Sequence, residues 1–145
     1  MALINRKRAL ICGCGRFGAA LADALDQDGY RVTVVDMNDE AFDRLGEFDG
    51  ETLTGDCTNS TVLEEAGVQR AELFASATGR DSTNVLAAEI ASDIYGVGHV
   101  YARIEDEDLI EVIEDRNIEP ICPHLVCLDE FFRLTGLNPQ KGVRR

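Results

Sequence analysis

The segment Ala9-Leu10-Ile11-Cys12-Gly13-Cys14-Gly15-Arg16-Phe17-Gly18 constrains this chain more than any other. Four apolar residues read as a buried strand, and Gly13, Cys14 and Gly15 as a tight turn. From Phe17 onward, the apolar positions Phe17, Ala20, Leu21, Ala24 and Leu25 follow the i, i+3, i+4, i+7, i+8 spacing of a helix packed on one face. A second strand, Val32-Thr33-Val34-Val35, ends in Asp36. Strand, glycine turn, helix, strand and acid, in that order, separate a dinucleotide-type fingerprint from a chance G-x-G-x-x-G. The competing reading, a glycine-rich turn that binds nothing, has to treat this register as coincidence.

Each residue type has a physical task. Gly13 permits the turn, Gly15 lacks a Cβ and lets backbone approach a phosphate, and Gly18 lets the helix lie close to the first strand. The helix N-terminus then offers unpaired N–H groups and the positive dipole end to an anion. Asp36, at the carboxyl end of the second strand, is positioned to accept both hydroxyls of a ribose. Its charge would repel a 2′-phosphate, which disfavours NADP.

Strand and helix patterns continue to alternate down the chain. Asn38 or Asp39 caps a short helix through Leu45, and Gly46 to Gly50 reads as a loop before a third strand, Glu51-Thr52-Leu53-Thr54. Gly55-Asp56-Cys57-Thr58 follows, then a helix capped by Asn59 or Ser60 that carries Val62, Leu63 and Ala66 and stops at Gly67. Leu73 to Ala77 is a fourth strand ending in Thr78-Gly79. Asp81 or Ser82 opens the most apolar helix, with Val85, Leu86, Ala88, Ile90, Ala91 and Ile94. A fifth strand from His99 to Ile104 carries Arg103 near its carboxyl end. The acidic turn Glu105 to Asp108 suits a helix start, and Leu109, Ile110, Val112 and Ile113 give that helix its buried face. Ile118-Glu119-Pro120-Ile121 can be only a short edge strand, because proline donates nothing to a ladder.

This alternation predicts an α/β fold: a Rossmann-like, doubly wound parallel sheet of about six strands. Ligands of such sheets bind outside the carboxyl ends of the strands. Those ends carry Gly13 to Gly18, Asp36, Asp56-Cys57, Thr78-Gly79 and Arg103, so one rim collects the polar signals. The last helix, Pro123 to Thr135, is different. Leu125, Val126, Leu128, Phe131, Phe132 and Leu134 cover more than one face, which predicts one face on its own domain and another on a partner subunit. The expected division is therefore residues 1–122 as the α/β domain, 123–136 as the pairing helix and 137–145 as a flexible tail.

Composition narrows the function classes. The 145 residues suit one domain. With 27 acidic residues against 14 basic ones, and Lys7 and Lys141 the only lysines, the net charge is −13. Such a field repels nucleic acid and anionic membrane. No apolar run approaches the roughly 18 residues of a membrane span. Arg6-Lys7-Arg8 before an apolar run imitates a signal peptide, but the run stops at Gly13 and meets Arg16. A cytoplasmic protein is expected.

The 5 cysteines, an odd number, form no disulfide framework. Cys12 and Cys14 flank Gly13, while Cys122, His124 and Cys127 cluster near the other end. A zinc site would need two ligand pairs at roughly C-x₂₋₄-C spacing, and C-x-C inside a glycine turn fits poorly. No metal is expected, and the thiols should be buried or half-buried, with Cys14 and Cys57 reactive candidates if they line a pocket.

The series Gly13-Cys14-Gly15-Arg16-Phe17-Gly18, Asp36, Gly55-Asp56-Cys57-Thr58, Ala77-Thr78-Gly79 with Asn84, and Ala102-Arg103 resembles the RCK/KTN (TrkA-N) domain. That is the nucleotide-sensing module of potassium-uptake regulatory subunits and of ligand-gated potassium channels and antiporters. The resemblance spans roughly residues 7 to 136. It implies that the Gly13 to Gly18 backbone with Arg16 and Phe17 holds phosphates, and that Asp36 takes the adenosine ribose beside Met37. It further implies that Asp56 and Cys57 border the adenine, while Thr78, Asn84 and Arg103 line the phosphate or distal part. The implied ligand is NAD(H) or an adenine nucleotide (ATP, ADP or AMP), with no chemistry performed on it. Implied partners are a second copy, or a ring of copies, joined through the last helix and a membrane potassium transporter or channel subunit. Many members continue into a second ligand-binding domain, whereas this sequence stops soon after the last helix.

Two alternatives stand beside this reading. An NAD-dependent oxidoreductase would use the same fold, yet the nucleotide domain consumes nearly all of the chain. His99 opens a strand at the end away from the rim and His124 starts the last helix; Asp56 is placed for a general base, but an adenine or ribose contact explains it as well. A regulatory domain cut from a larger channel, antiporter or phosphoesterase would have the same site and ligand.

Overall fold

A computed structural model of the chain describes residues 6–138. Six strands, β1 (Arg8–Cys12), β2 (Arg31–Asp36), β3 (Glu51–Thr54), β4 (Leu73–Ser76), β5 (His99–Arg103) and β6 (Glu119–Ile121), form one sheet. All neighbours are parallel, in the order β3-β2-β1-β4-β5-β6. The helices are α1 (Arg16–Gln27), α2 (Ser60–Glu65), α3 (Asp81–Glu89), α4 (Glu107–Ile113) and α5 (Pro123–Thr135), with a 3₁₀ helix at Asp39–Arg44. Strand order reverses between β1 and β4, and a doubly wound sheet opens its crevice at such a switch point. Pro120 lies on the edge strand, paired with Ala102.

Side chains alternate along each strand, so one strand feeds two cores. Leu10, Cys12, Phe74, Val100 and Ala102 face a cluster with Leu63, Val68, Ala87, Ala88 and Ile113. Ala9, Ile11, Val32, Val34 and Ala75 face the opposite one, with Ala19, Ala22 and Ala41. The sheet is thus covered by α1 and the 3₁₀ helix on one side and by α2, α3 and α4 on the other.

The helix caps fall where short polar side chains can reach the first turn. Asn38, Asn59 and Asp106 each accept a hydrogen bond from the backbone N–H two residues on. Gly67 ends α2 in the left-handed region at φ +89°.

The buried face of α1 differs from the expected one. Gly18, Ala19 and Ala22 are buried, with Leu21 and Leu25 on the flank, while Phe17, Ala20 and Ala24 are exposed. The strand–helix turn is so tight that only residues with little or no side chain fit against it. A Cβ on Gly18 would stand 1.8 Å from the Gly13 carbonyl oxygen.

Three other apolar residues expected in the core are outside it: Leu86 (47% exposed), Ile94 (66%) and Val112 (56%). For Ile94 the cause is local. After Glu89 the helix continues as a π-helical turn, Ile90–Ile94, which adds a residue to the turn and shifts the phase of every later side chain.

α5 buries Leu125 alone. Val126, Leu128, Phe131 and Leu134 are exposed. Of the tail expected at 137–145, only Leu137 and Asn138 lie among the described residues.

Candidate functional site

Backbone hydrogen bonds tie the carboxyl ends of the strands together. Gly13 N–H donates to the Val35 carbonyl at 2.7 Å, Ala77 N–H to that of Cys12 at 2.7 Å, and Gly55 N–H to that of Asp36 at 2.9 Å. Above this floor opens a cleft of about 780 Å³. It is lined by the Gly13 to Phe17 turn, Asp36, Met37, Asp56, Cys57, Thr78 and Arg103 from the expected set.

The glycine turn is built for close approach. Gly13 sits at φ +99°, and a Cβ there would lie 2.7 Å from the Ala77 backbone, so β4 leaves no room for a side chain. Gly15 lines the cleft and has nothing within 4 Å of where its Cβ would stand. It is also the N-cap of α1. No side chain caps that end, and no acid occupies the first turn. The first N–H groups of a 12-residue helix therefore face the cleft without a competing side-chain acceptor at the cap.

Asp36 is held by two backbone donors. Its Oδ2 accepts from Cys14 N–H at 2.7 Å and its Oδ1 from Asn38 N–H at 2.8 Å. A carboxylate offers about four lone-pair sites. Each oxygen thus keeps capacity for one more donor, which matches the two hydroxyls of a ribose.

Asn84 and Gly18 stand apart from the lining. Asn84 is 1% exposed and acts from behind the wall. Its Oδ1 accepts from Thr78 N–H at 2.9 Å and from the Thr78 hydroxyl at 2.6 Å. Its Nδ2 donates to the carbonyls of Thr78 at 3.0 Å and Arg103 at 2.8 Å. One buried amide thereby joins the ends of β4 and β5, on one side of the switch point. Gly18 is the contact between α1 and the turn.

Two arginines escaped the sequence reading. Arg44, from the 3₁₀ helix, reaches the Cys14 carbonyl at 3.4 Å, and Arg80 precedes α3; both line the cleft. With Arg16 and Arg103, the lining carries four arginines against the aspartates Asp36 and Asp56. In a chain of net charge −13 this is a local reversal of sign, suited to an anionic ligand. Arg103 is braced by Glu105 at 2.6 Å. The signal was available for Arg80, which directly precedes the α3 start; nothing local marks Arg44.

Thr58 N–H at 2.8 Å, then the Thr58 hydroxyl at 2.7 Å, hold the Asp56 carboxyl below its ordinary range. A base that weak is poorly matched to proton abstraction near neutrality. Burial, reinforced by the Asp36 charge, pushes the Cys14 thiol up. Burial and a hydrogen bond with Cys57 do the same for Cys12. Cys12, Cys14, Cys57 and Cys122 are buried, whereas Cys127 is exposed, contrary to the expectation for all five.

The TrkA-N domain family model matches residues 9–122, from β1 through β6. The chain belongs to the TrkA-N domain family. A Trk system potassium uptake protein TrkA from Streptomyces coelicolor is 38% identical over 125 residues, which cover 86% of this chain and 56% of that protein. This TrkA-N chain thus spans about half the length of that curated relative. Among solved structures, the TrkA-N domain of inner membrane protein ybaL from Escherichia coli superposes with a TM-score of 0.79. It shares 18% identity, with 92% of this chain and 98% of that one covered. The GsuK channel bound to NAD superposes with a TM-score of 0.76 at 21% identity, covering 94% of this chain and 24% of that one. These likenesses establish the TrkA-N fold, a six-stranded parallel sheet followed by a last helix. No helix among the described residues is long and apolar enough to cross a membrane.

Proposed function

We propose that this TrkA-N chain is a regulatory nucleotide-binding module of a potassium transport system. It binds NAD(H) or an adenine nucleotide in the cleft at the switch point and performs no chemistry on it. The observation that carries this reading is the pairing of Asp36, with one free acceptor site on each oxygen, and the uncapped start of α1 on the same cleft. Ribose and phosphate are the two parts that every candidate nucleotide shares.

In this reading the Gly13 to Gly18 backbone and Arg16 hold phosphate, and Asp36 holds the adenosine ribose beside Met37. Asp56 and Cys57 border the base. Thr78 and Arg103, set by Asn84 from behind, meet the phosphate or distal part. Arg44 and Arg80 join them as phosphate-facing cations. The nucleotide acts by differential affinity for two arrangements of the assembly. Residues 1–122 form the nucleotide domain, and 123–136 form the helix through which a second copy pairs, with larger rings built from such pairs. The partner is a membrane potassium transporter or channel subunit, so the module works at the cytoplasmic face of the membrane.

Calorimetric titration with NADH, NAD, ATP, ADP and AMP, repeated on Asp36→Ala, tests the reading. Saturable binding that the substitution abolishes supports it, and the ranking says whether the module senses redox state or energy charge. No binding by any of the five overturns it.

A further inference from the structure

Away from the cleft, where β6 passes into α5, three side chains converge from two elements. Cys122 Sγ lies 3.2 Å from His124 Nδ1, and His124 Nε2 lies 2.6 Å from Glu107 Oε1. We propose that Cys122 is a nucleophilic thiol, a site of oxidation by small hydroperoxides, with His124 as its proton acceptor and Glu107 as the residue that positions His124.

The geometry supplies each role. A carboxylate only accepts, so the Nε2 nitrogen facing Glu107 carries a hydrogen, and in the neutral ring Nδ1 keeps its lone pair toward the sulfur. A nucleophile, a base in reach and a third group fixing that base form the arrangement that activates thiols elsewhere. Cys122 is also the N-cap residue of the 13-residue α5, so its position is fixed by the junction of β6 and α5. The Glu105 carbonyl lies 3.9 Å from the sulfur. Cys122 itself is buried at 5%, but the His124 and Glu107 side chains are 49% and 35% exposed, which leaves the approach on the imidazole side open to a reagent of peroxide size.

The thiol proton moves to His124 Nδ1, and the thiolate attacks the terminal oxygen of the hydroperoxide. An S–O bond forms as the O–O bond breaks, and the electron pair leaves on the alkoxide (hydroxide from hydrogen peroxide). That anion takes the proton from His124. The sulfur is oxidised by two electrons to the sulfenic acid, and the peroxide is reduced to alcohol or water.

The test treats the folded chain with hydrogen peroxide in the presence of a 1,3-dione trap and quantifies the adduct at each cysteine by peptide mass spectrometry. Cys127, in the same helix and exposed in the single chain, is the internal reference, at chain concentrations low enough that sedimentation velocity shows monomer. We expect Cys122 to be trapped at least about tenfold faster than Cys127, and His124→Gln to remove most of that advantage. Glu107→Ala should lower the rate, and Glu107→Gln, which keeps an acceptor for Nε2–H, should restore it; a merely structural role would not discriminate the two. Trapping of Cys122 no faster than Cys127 in the unsubstituted protein overturns the proposal without reliance on any variant. A rate indifferent to His124→Gln in protein that melts normally overturns it equally.

Discussion

The Cys14 backbone N–H donates to Asp36 Oδ2 at 2.7 Å, locking the acid at the end of β2 to the glycine turn after β1. The same carboxylate is therefore a structural brace and the proposed ribose acceptor.

Asp36→Ala should separate these two tasks. Losing the two proposed ribose bonds should weaken NADH or ATP binding by at least about tenfold per bond, since hydrogen bonds to a charged group are worth about 1.5–3 kcal/mol. The loss of the brace, two bonds to the same carboxylate, should lower the melting temperature by roughly 5–10 °C or more. Parallel calorimetry and thermal melts check both, and NADPH should bind the unsubstituted protein more weakly than NADH.

Gly18→Ala should be far more damaging than the addition of one methyl group suggests. The new Cβ would stand 1.8 Å from the Gly13 carbonyl oxygen, which is backbone and cannot swing aside. Overpacking costs about 1–3 kcal/mol and more where backbone must move. At about 2–4 °C per kcal/mol for a chain of this size, a drop of roughly 5–10 °C is expected in a thermal melt. Gly15→Ala has open space for its Cβ and should leave stability nearly unchanged while reducing nucleotide affinity.

Asn84→Ala should strip the Thr78 N–H and the Thr78 and Arg103 carbonyls of their partner. Each buried orphan costs about 1–3 kcal/mol. A stability loss of at least about 3 kcal/mol in urea unfolding should accompany weaker nucleotide binding, although Asn84 does not line the cleft.

The lowered Asp56 carboxyl makes a signed pH prediction. A carboxyl whose native value lies below its unfolded one, near about 3.9, contributes stability above that value and loses it as the pH falls through the lowered native value. Thr58→Val removes the hydroxyl but keeps the N–H, the larger of the two causes. NMR titration should then find the Asp56 carboxyl shifted up, part of the way to the ordinary range. An unmoved titration would mean that the hydroxyl contributes nothing.

The exposed face of α5 should mediate self-association. Phe131 and Leu134 are 53% and 69% exposed on a helix that buries Leu125 alone. Phe131→Glu with Leu134→Glu should convert the dimer expected in sedimentation velocity to monomer. Nucleotide binding to each chain should persist.

Local stereochemistry made much of this protein legible in its sequence. Strand patterns alternating with helical ones gave the parallel sheet, and short polar residues marked the starts of the 3₁₀ helix, α2 and α4. The G-x-G-x-x-G turn followed by Asp36 located the rim, because glycine freedom and a strand-end acid act within a few residues of where they stand. What only tertiary structure decided depends on contacts between distant segments. Which face of α1 is buried follows from how tightly Gly18 meets Gly13, and the π-helical turn after Glu89 broke the constant step that periodicity assumes. Arg44 enters the cleft because the 3₁₀ helix folds back over Cys14, and Asn84 leaves it because the amide is spent joining β4 to β5. Glu107 meets His124 across 17 positions of sequence, for the same reason. Spacing along a chain encodes its local periods, whereas the meeting of remote side chains is fixed only when the sheet brings their elements together.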